Sequence, residues 1–386
     1  MTPWRPTLVQ GQLHVIVAAW TDIRNSDKLE ASPVAEPCRA AVTRKRACGI
    51  CVAVRVPPEL VFLATAAAVI IAGARLAHDG GTIADRTGLG QGWVGAILVA
   101  SATSLPEIAT DVAAVRDGER SLAIGDLFGS SMANMLILGV ADLLTRRTHL
   151  MTQVAVSQAT VGVLAMALTA VAAAGVLAGE GLGVLGVGWA PLTIGVGYVL
   201  GMRLIYVNRG SEGSGAGATR SRGDTSSAGL RRPVIGFVVA AAAILIVAPY
   251  LARSAAELAE QWGISSGFFG VVFLAAATSL PEAAVVGAAI KGGAYTLAVG
   301  NLLGSNCFNM LVVLLLDVVD GAGSVLAQAE AGVVLGAVFA IVMIGQVLLD
   351  LLNRAEHHVW YIEPGPGLIV LTYAAGLFLT YRATDV

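Results

Sequence analysis

One polar segment occurs twice in this chain, each time inside long apolar sequence. The first copy reads Thr-Ser-Leu-Pro-Glu at residues 103–107 and continues Gly-Asp-Leu-Phe-Gly-Ser-Ser at residues 125–131. The second reads Thr-Ser-Leu-Pro-Glu at 278–282 and continues Gly-Asn-Leu-Leu-Gly-Ser-Asn at 300–306. Each residue of the second copy lies 175 positions after its match in the first copy, as residue 278 does after residue 103. A polar motif repeated in both halves of an apolar chain predicts two related halves and a transport site between them.

The composition indicates a membrane protein. Apolar residues make up 56% of the 386 residues and charged residues only 13%, whereas soluble domains carry about 25% charged residues. Apolar runs near the ~20 residues that cross a bilayer recur along the chain. We therefore predict an all-α membrane protein with about ten transmembrane helices in contact with membrane lipid. No nucleic-acid partner is expected, because no strong basic face exists outside the tail and loops. The predicted spans cover residues 59–77, 92–115, 121–143, 152–177, 183–207, 233–251, 267–290, 295–317, 328–349 and 366–381.

These spans divide the chain into two five-helix repeats. Residues 58–207 form the first repeat and 233–386 the second, and an odd number of spans in each inverts their topology. The Gly-, Ser- and Arg-rich residues 208–232 are expected to be a flexible linker. Most loop Lys and Arg residues lie on the same side of the membrane as the linker, which predicts that the linker is cytoplasmic. The protein itself is expected in the cell (inner) membrane. Residues 1–57 show no secretory signal and are expected to be a disordered tail, although their basic cluster at 44–46 opposes this orientation.

The repeated motif supplies oxygen ligands inside the membrane. Pro106 and Pro281 each remove a backbone donor, so each is expected to kink its helix and leave carbonyl oxygens free. The motif threonine and glutamate lie four apart and should share a helix face, and a Ser/Asn pair repeats this spacing on the next predicted helix. The candidate ligands are Thr103, Ser104, Glu107, Ser130, Asn134, Thr278, Ser279, Glu282, Ser305 and Asn309, with Asp111 and Asp126 as tentative additions.

An all-oxygen cage of this kind suits a hard cation. Ca²⁺ takes 6–8 oxygen ligands, and two carboxylates balance its charge. The five His residues lie in the tail or near span ends, so neither a soft metal nor a cofactor is expected. A proline or a Gly-x-x-x-Gly pattern alone would indicate only helix packing, whereas glutamates within membrane spans indicate function. Asp142 and Asp317 also match across the offset, but they lie near span ends and are expected to be structural.

The paired motifs closely resemble the alpha-repeats of the sodium/calcium exchanger family, within the cation/calcium antiporter superfamily, and the resemblance covers residues 58–386. It implies ten helices in two inverted halves that exchange Na⁺ for Ca²⁺ by alternating access. It also implies that Glu107 and Glu282 are the main Ca²⁺ ligands, assisted by Thr103 and Thr278. The flanking Na⁺ sites would be formed by Ser104, Ser279, Ser130, Ser305, Asn134 and Asn309.

The first copy departs from the family pattern. Asp126 and Ser131 each stand where the motif has Asn, and Asp111 stands where relatives usually carry a small polar residue. Asn309 stands where some relatives carry Asp. These changes redistribute charge in the site and leave the coupling ion open. Asp126 could hold a proton when the site is empty, or it could hydrogen-bond a neighbouring helix as Asn301 would.

The sequence therefore predicts a transporter rather than an enzyme, and most directly a Na⁺-driven Ca²⁺ antiporter. The first alternative is H⁺-coupled exchange of Ca²⁺ or another divalent cation. An intramembrane hydrolase would need a nucleophile and a base, or a catalytic aspartate pair. The spans contain no histidine, and their acidic residues occur together with Thr, Ser and Asn rather than in a Ser–His pairing. A pure channel differs by conducting without a counter-ion. Oligomeric state and stoichiometry are not set by these patterns.

Overall fold

The computed structural model describes most of the chain from Pro57 onwards. The chain divides into two units, Met1–Arg55 and Val56–Val386, and the described residues belong to the second. They are residues 57–145, 150–154, 157–179, 183–184, 186–208, 227–262, 277–321, 323–353 and 364–384. The predicted tail, linker residues 209–226 and the start of the seventh predicted span lie outside them. The division into tail, repeats and linker stays a prediction.

Helices dominate the described part of the chain. Its first half contains α1 (Pro58–Thr87), α2 (Gln91–Thr103), α3 (Leu105–Arg116), α4 (Arg120–Leu144), the short α5 (Leu150–Gln153), α6 (Ser157–Ala178) and α7 (Trp189–Asn208). Its second half contains α8 (Ser227–Gln261), α9 (Leu280–Lys291), α10 (Tyr295–Asp320), the short α11 (Val325–Gln328), α12 (Val334–Asn353) and α13 (Pro364–Thr384). A π-helical turn, Gly95–Val99, lies inside α2, and a 3-10 turn, Ala331–Val333, precedes α12.

The offset of the motifs extends to whole helices. Helix α9 begins and ends 175 positions after α3, since Leu280 and Lys291 match Leu105 and Arg116. Helices α10 and α13 likewise begin 175 positions after α4 and α7. The chain is therefore built from two structural repeats, and α8 of the second repeat matches α1 of the first.

Contacts between described residues show that matching helices run in opposite directions. Arg120, at the start of α4, forms a salt bridge with Asp320 at the end of α10, with 2.9 Å between Nη2 and Oδ1. Arg86, in the last turn of α1, donates a hydrogen bond to the carbonyl of Gly229 near the start of α8. Antiparallel matching helices confirm the predicted architecture, an all-α membrane protein built from two inverted repeats.

The helices have the length and surface of membrane spans. Seven described helices are long and apolar enough to cross a bilayer, and the bent pair α2–α3 counts as one further span. Large apolar side chains such as Leu63, Ile71 and Ile246 point outward. In a membrane such side chains face lipid tails instead of water. The chain is thus an integral membrane protein. The seven helices are α1, α4, α6, α7, α8, α10 and α12.

The fifth span begins later than its apolar sequence predicts. Residues Gly183–Val184 and Val187–Gly188 pair as two short antiparallel strands, and α7 begins only at Trp189 instead of at residue 183. Gly186 in the turn has a φ of 83°, a left-handed conformation that glycine adopts without a Cβ penalty. Glycine-rich apolar sequence at the end of a span therefore folds here as a turn.

Both motif helices break where the sequence predicts a kink. Helices α2 and α3 meet at Ser104 and form an angle of 47°. Ser104 has φ −86° and ψ 6°, and Ser279, before α9, has φ −82° and ψ 7°. Pro106 and Pro281 are the second residues of α3 and α9, where a missing N–H donor costs little because those donors have no intrahelical partner. Proline thus favours a new helix start, and the break itself lies at the serine two residues earlier.

Glycines bring α2 and α10 into backbone contact. A Cβ added to Gly304 would overlap the backbone of Ala96, and one added to Gly300 would lie 2.7 Å from the carbonyl oxygen of Gly92. A Cβ at Gly95 would lie 2.6 Å from the Leu297 carbonyl oxygen. The second Gly-x-x-x-Gly pair therefore packs as the pattern predicts and presses α2 of the first repeat against α10 of the second.

We expect Gly304→Ala to destabilise the protein by about 1–3 kcal/mol, because the added methyl group must push α2 away from α10. The measurement is the thermal unfolding midpoint of the purified protein in detergent. Gly287→Ala is the matched control, since Gly287 is an exposed helical glycine and a Cβ there meets no atom of the described residues within 4 Å. Equal midpoints for the two variants would show that α2 and α10 do not pack this closely.

Candidate ion-binding site

The two motif glutamates occupy equivalent places at the centre of the fold. Glu107 lies in the first turn of α3 and Glu282 in the first turn of α9. Their exposed fractions are 6% and 1%. They lie close enough to repel each other electrostatically. The positive ends of the α3 and α9 dipoles partly stabilise these carboxylates, and only the helix breaks place such ends at this depth.

The glutamate oxygens are short of partners. Among the described residues, Glu107 Oε2 and both carboxylate oxygens of Glu282 accept no hydrogen bond. A buried carboxylate without a donor or a cation costs several kcal/mol of free energy. Two such groups side by side form a site that favours a bound cation.

Thr103 links the broken helix of the first repeat to the second repeat. It is the last residue of α2, and its hydroxyl lies 3.2 Å from the Ala100 carbonyl oxygen and 3.5 Å from Asn301 Oδ1 on α10. It also lies beside the Glu282 carboxylate without closing a good hydrogen bond to it. The helix breaks at Ser104, between Thr103 and Glu107, and both residues still lie beside Glu282.

The same break separates Thr278 from Glu282, since Ser279 interrupts the helix between them. Thr278 is half-buried, whereas Ser279 is buried. The threonine of each copy therefore precedes the break and the glutamate follows it. The amide end of α3 and of α9 therefore begins at the motif, next to its glutamate, in both repeats.

An amide pair ties α4 to α10. Asn134 Nδ2 donates to Asn306 Oδ1 at 2.9 Å, and Asn306 Nδ2 donates to the Ser131 carbonyl oxygen at 3.2 Å. All three residues are buried. Sequence reasoning named Asn134 as a ligand but missed Asn306 as the residue that holds it. The signal was present, because Asn306 is the last residue of the repeated Gly-Asn-x-x-Gly-Ser-Asn segment.

The serine hydroxyls and the second-repeat asparagine add further oxygens. Ser104, Ser305 and Asn309 are buried, and Ser130 is half-buried. Within the described part of the chain, Ser104 Oγ, Ser305 Oγ and Asn309 Oδ1 have no hydrogen-bond partner. These unpaired oxygens lie on α10 and at the break between α2 and α3, where they are available to bind an ion.

Two further carboxyl groups meet in the first repeat. Asp111 on α3 and Asp126 on α4 lie close enough to interact electrostatically. Asp111 is buried and Asp126 is half-buried. The second repeat carries Val286 and Asn301 at the matching positions, so this acidic pair breaks the symmetry of the site.

The acidic residue near the end of α10 has a structural role, as its sequence position predicts. Asp317 accepts hydrogen bonds from the backbone N–H groups of Gly188 and Val325, at 2.9 and 2.7 Å. It fixes the strand turn and the α10–α11 connection. Asp142, its match, is buried near the end of α4. Across the described residues, no three His, Cys, Asp or Glu side chains cluster as a metal site, and the candidate ligands are carboxylate, hydroxyl, amide and backbone oxygens.

Comparison with known proteins places both repeats in one family. The sequence model of the sodium/calcium exchanger protein family matches residues 59–206 and 232–382. Inner membrane protein YrbG of Escherichia coli (strain K12) is 29% identical over 311 residues, which are 75% of this chain and 85% of that protein. The putative antiporter CaxA of Alkalimonas amylolytica is 27% identical over 295 residues, which are 73% of this chain and 88% of that protein.

A solved structure shows the same fold. The sodium-calcium exchanger NCX_Mj, soaked with 2.5 mM Na⁺ and 1 mM Sr²⁺, aligns with a TM-score of 0.62 at 19% sequence identity. The alignment covers 84% of this chain and 98% of that chain. The two-repeat architecture is therefore shared over nearly the whole of the solved exchanger.

Proposed function

This chain belongs to the sodium/calcium exchanger family, and on that premise we propose that it exchanges Na⁺ for Ca²⁺ across the cell (inner) membrane by alternating access. The family consists of exchangers, which places the chain among cation antiporters and not among enzymes. The relatives support the proposal: one is named an inner membrane protein, one a putative antiporter, and the solved exchanger was soaked with Na⁺ and Sr²⁺.

One observation carries the proposal for this chain. Glu107 and Glu282 come from opposite repeats, are buried side by side, and present three oxygens without a partner among the described residues. Two carboxylates balance one divalent cation, and hard oxygen ligands suit Ca²⁺. We assign these glutamates to Ca²⁺, with Thr103 and Thr278 assisting through hydroxyl or backbone oxygens.

Monovalent ions would use the oxygens around this centre. We assign the flanking Na⁺ sites to side chains at the two helix breaks and on α4 and α10. They are Ser104, Ser279, Ser130, Ser305, Asn134 and Asn309. Na⁺ in these sites and Ca²⁺ between the glutamates compete for the same negative charge, so binding of one disfavours the other. Exchange follows if the site opens to only one side of the membrane at a time, because an emptied pair of buried carboxylates resists the change of access.

A second candidate, H⁺-coupled exchange of Ca²⁺ or another divalent cation, is favoured by the Asp111–Asp126 contact. Two ionised carboxylates this close repel each other, and a proton held by one of them removes that repulsion. Both lie near enough to Glu107 to act on it electrostatically. A proton there could be released when a cation enters the site.

We expect Glu107→Gln and Glu282→Gln each to reduce Ca²⁺ uptake at least about a hundredfold. Removal of one charge at ~4 Å from a divalent ion costs several kcal/mol even at an effective dielectric constant of ~20. The measurement is ⁴⁵Ca²⁺ uptake into vesicles that contain the reconstituted protein and are loaded with Na⁺.

Glu330→Gln is the matched control for this experiment, because Glu330 is exposed in the connection before α12, and normal uptake is expected of it. A parallel series replaces the Na⁺ gradient with a pH gradient. Normal uptake by either motif variant contradicts the shared Ca²⁺ site. Uptake that follows only the pH gradient contradicts Na⁺ coupling and supports the second candidate. Ca²⁺ flux without any counter-ion would identify a channel.

The Asp126→Asn variant separates the two coupling ions. It matches the residue at the equivalent position 301 and removes the acid that Asp111 contacts. If the pair carries the coupling proton, the variant loses the pH dependence of Ca²⁺ uptake and shows altered competition by Na⁺. If Asp126 only bonds a neighbouring helix, the pH profile and the activity stay as in the unsubstituted protein. Asp85→Asn, at an exposed position of α1, is the control, and it should leave the pH profile unchanged.

A further inference from the structure

The two repeats treat their matching asparagines differently. In the first repeat Asn134 donates from Nδ2 to Asn306 Oδ1, and Asn306 in turn donates to the backbone of Ser131. This pairing fixes the plane of the Asn134 amide and holds its Oδ1 in one direction. Asn306 therefore acts on Asn134 as a clamp from the opposite repeat.

Inverted symmetry predicts a second clamp, which this chain lacks. The offset of 175 relates Asn134 to Asn309 and Asn306 to Ser131, so the mirror pair is Asn309 with residue 131. Serine is too short to repeat the amide contact, and its hydroxyl donates to the Leu127 carbonyl oxygen at 2.9 Å. Asn309 is only 1% exposed, yet within the described part of the chain its Nδ2 has no acceptor that corresponds to Asn306, and its Oδ1 meets no donor.

We infer that Ser131 is a positioning residue that leaves Asn309 unclamped and so weakens the cation site to which Asn309 contributes. The inference rests on the proposed function, which assigns Asn309 to a Na⁺ site beside the Ca²⁺ centre. If the ion must order the amide side chain when it binds, the lost side-chain entropy lowers the affinity of the site for the ion. An amide that is ordered beforehand avoids this cost. The site is thus preorganised on the Asn134 side and adaptable on the Asn309 side.

The direct test is Ser131→Asn. The new amide can accept a hydrogen bond from Asn309 Nδ2, as Asn306 does from Asn134, and Asn309 Oδ1 stays free for the ion. Ordering one side chain in advance corresponds to about a two- to tenfold gain in affinity. The readouts are equilibrium ⁴⁵Ca²⁺ binding in detergent, its displacement by Na⁺, and the KM and kcat of exchange in vesicles. We expect Na⁺ to displace ⁴⁵Ca²⁺ at a lower concentration and the KM for Na⁺ to fall, with a smaller change in kcat.

The reciprocal variant guards against overpacking, because Ser131 is fully buried and the larger asparagine could prevent folding. Asn306→Ser removes the clamp of Asn134 and gives both repeats a serine at this place. It should weaken binding about two- to tenfold. Leu316→Ala is the control, since it creates a cavity in the buried face of α10 without touching either amide. It should lower the Tm and leave the binding constants unchanged.

The separate Ca²⁺ and Na⁺ measurements show to which ion site Asn309 contributes. A shift in Ca²⁺ affinity alone places Asn309 at the Ca²⁺ site, and a shift in Na⁺ competition alone places it at a Na⁺ site. Both results support the inference. Unchanged constants for both ions in both variants overturn it, as does a shift equal to that of Leu316→Ala. Failure of the unsubstituted protein to exchange Na⁺ for Ca²⁺ counts against the proposed function only, because the binding measurements do not depend on transport.

Discussion

The fold depends on the cost of holding two carboxylates inside a membrane protein. Glu107 and Glu282 are almost completely removed from solvent and lack enough hydrogen-bond donors within the described residues. The helix breaks at Ser104 and Ser279 lower that cost by placing helix N-termini at the glutamates. The remaining cost is removed when a bound metal ion or a proton neutralises the carboxylates. An ion site of this kind resists being empty, and this resistance is what couples the movement of one ion to that of another.

The packing of the two repeats follows from the same requirement. The glutamates can share an ion only if the motif helices of both repeats meet, and Gly300 and Gly304 allow α2 to contact α10 through backbone atoms. The Arg120–Asp320 salt bridge joins the ends of α4 and α10 on one side of the bundle. The two repeats then differ in the residues that they contribute to the site. The Asp111–Asp126 pair adds acid to the first repeat, and Ser131 removes a clamp from the second-repeat asparagine.

Much of this arrangement could be predicted from the sequence. The offset of 175 predicted two repeats, and helices α9, α10 and α13 all begin on it to the residue. The two glutamates were identified because charge in a membrane span is expensive. The exact place of the helix break was not predictable from proline alone, since proline permits several break points and the tertiary contacts of Thr103 select one. Span ends were also misjudged, because α1 continues to Thr87 in polar sequence that packing keeps helical.

The clamp at Asn306 was missed for a different reason. Sequence patterns show that a residue belongs to a motif, but they do not show whether it contacts the ion or another ligand. Only the 2.9 Å contact between Asn134 and Asn306 separates these roles. The contact of Asp111 with Asp126 likewise joins two helices, and neither residue has an acidic match in the second repeat from which it could have been inferred.

The stoichiometry of Ca²⁺ binding tests the central claim most directly. Equilibrium binding to the purified protein, counted per chain, should show one Ca²⁺ held jointly by Glu107 and Glu282. Replacing either glutamate with glutamine should abolish that binding, and replacing both should cost little more than replacing one, since residues that act as a unit are not additive. Two Ca²⁺ per chain, with one retained after each single substitution, would contradict a site shared between the repeats.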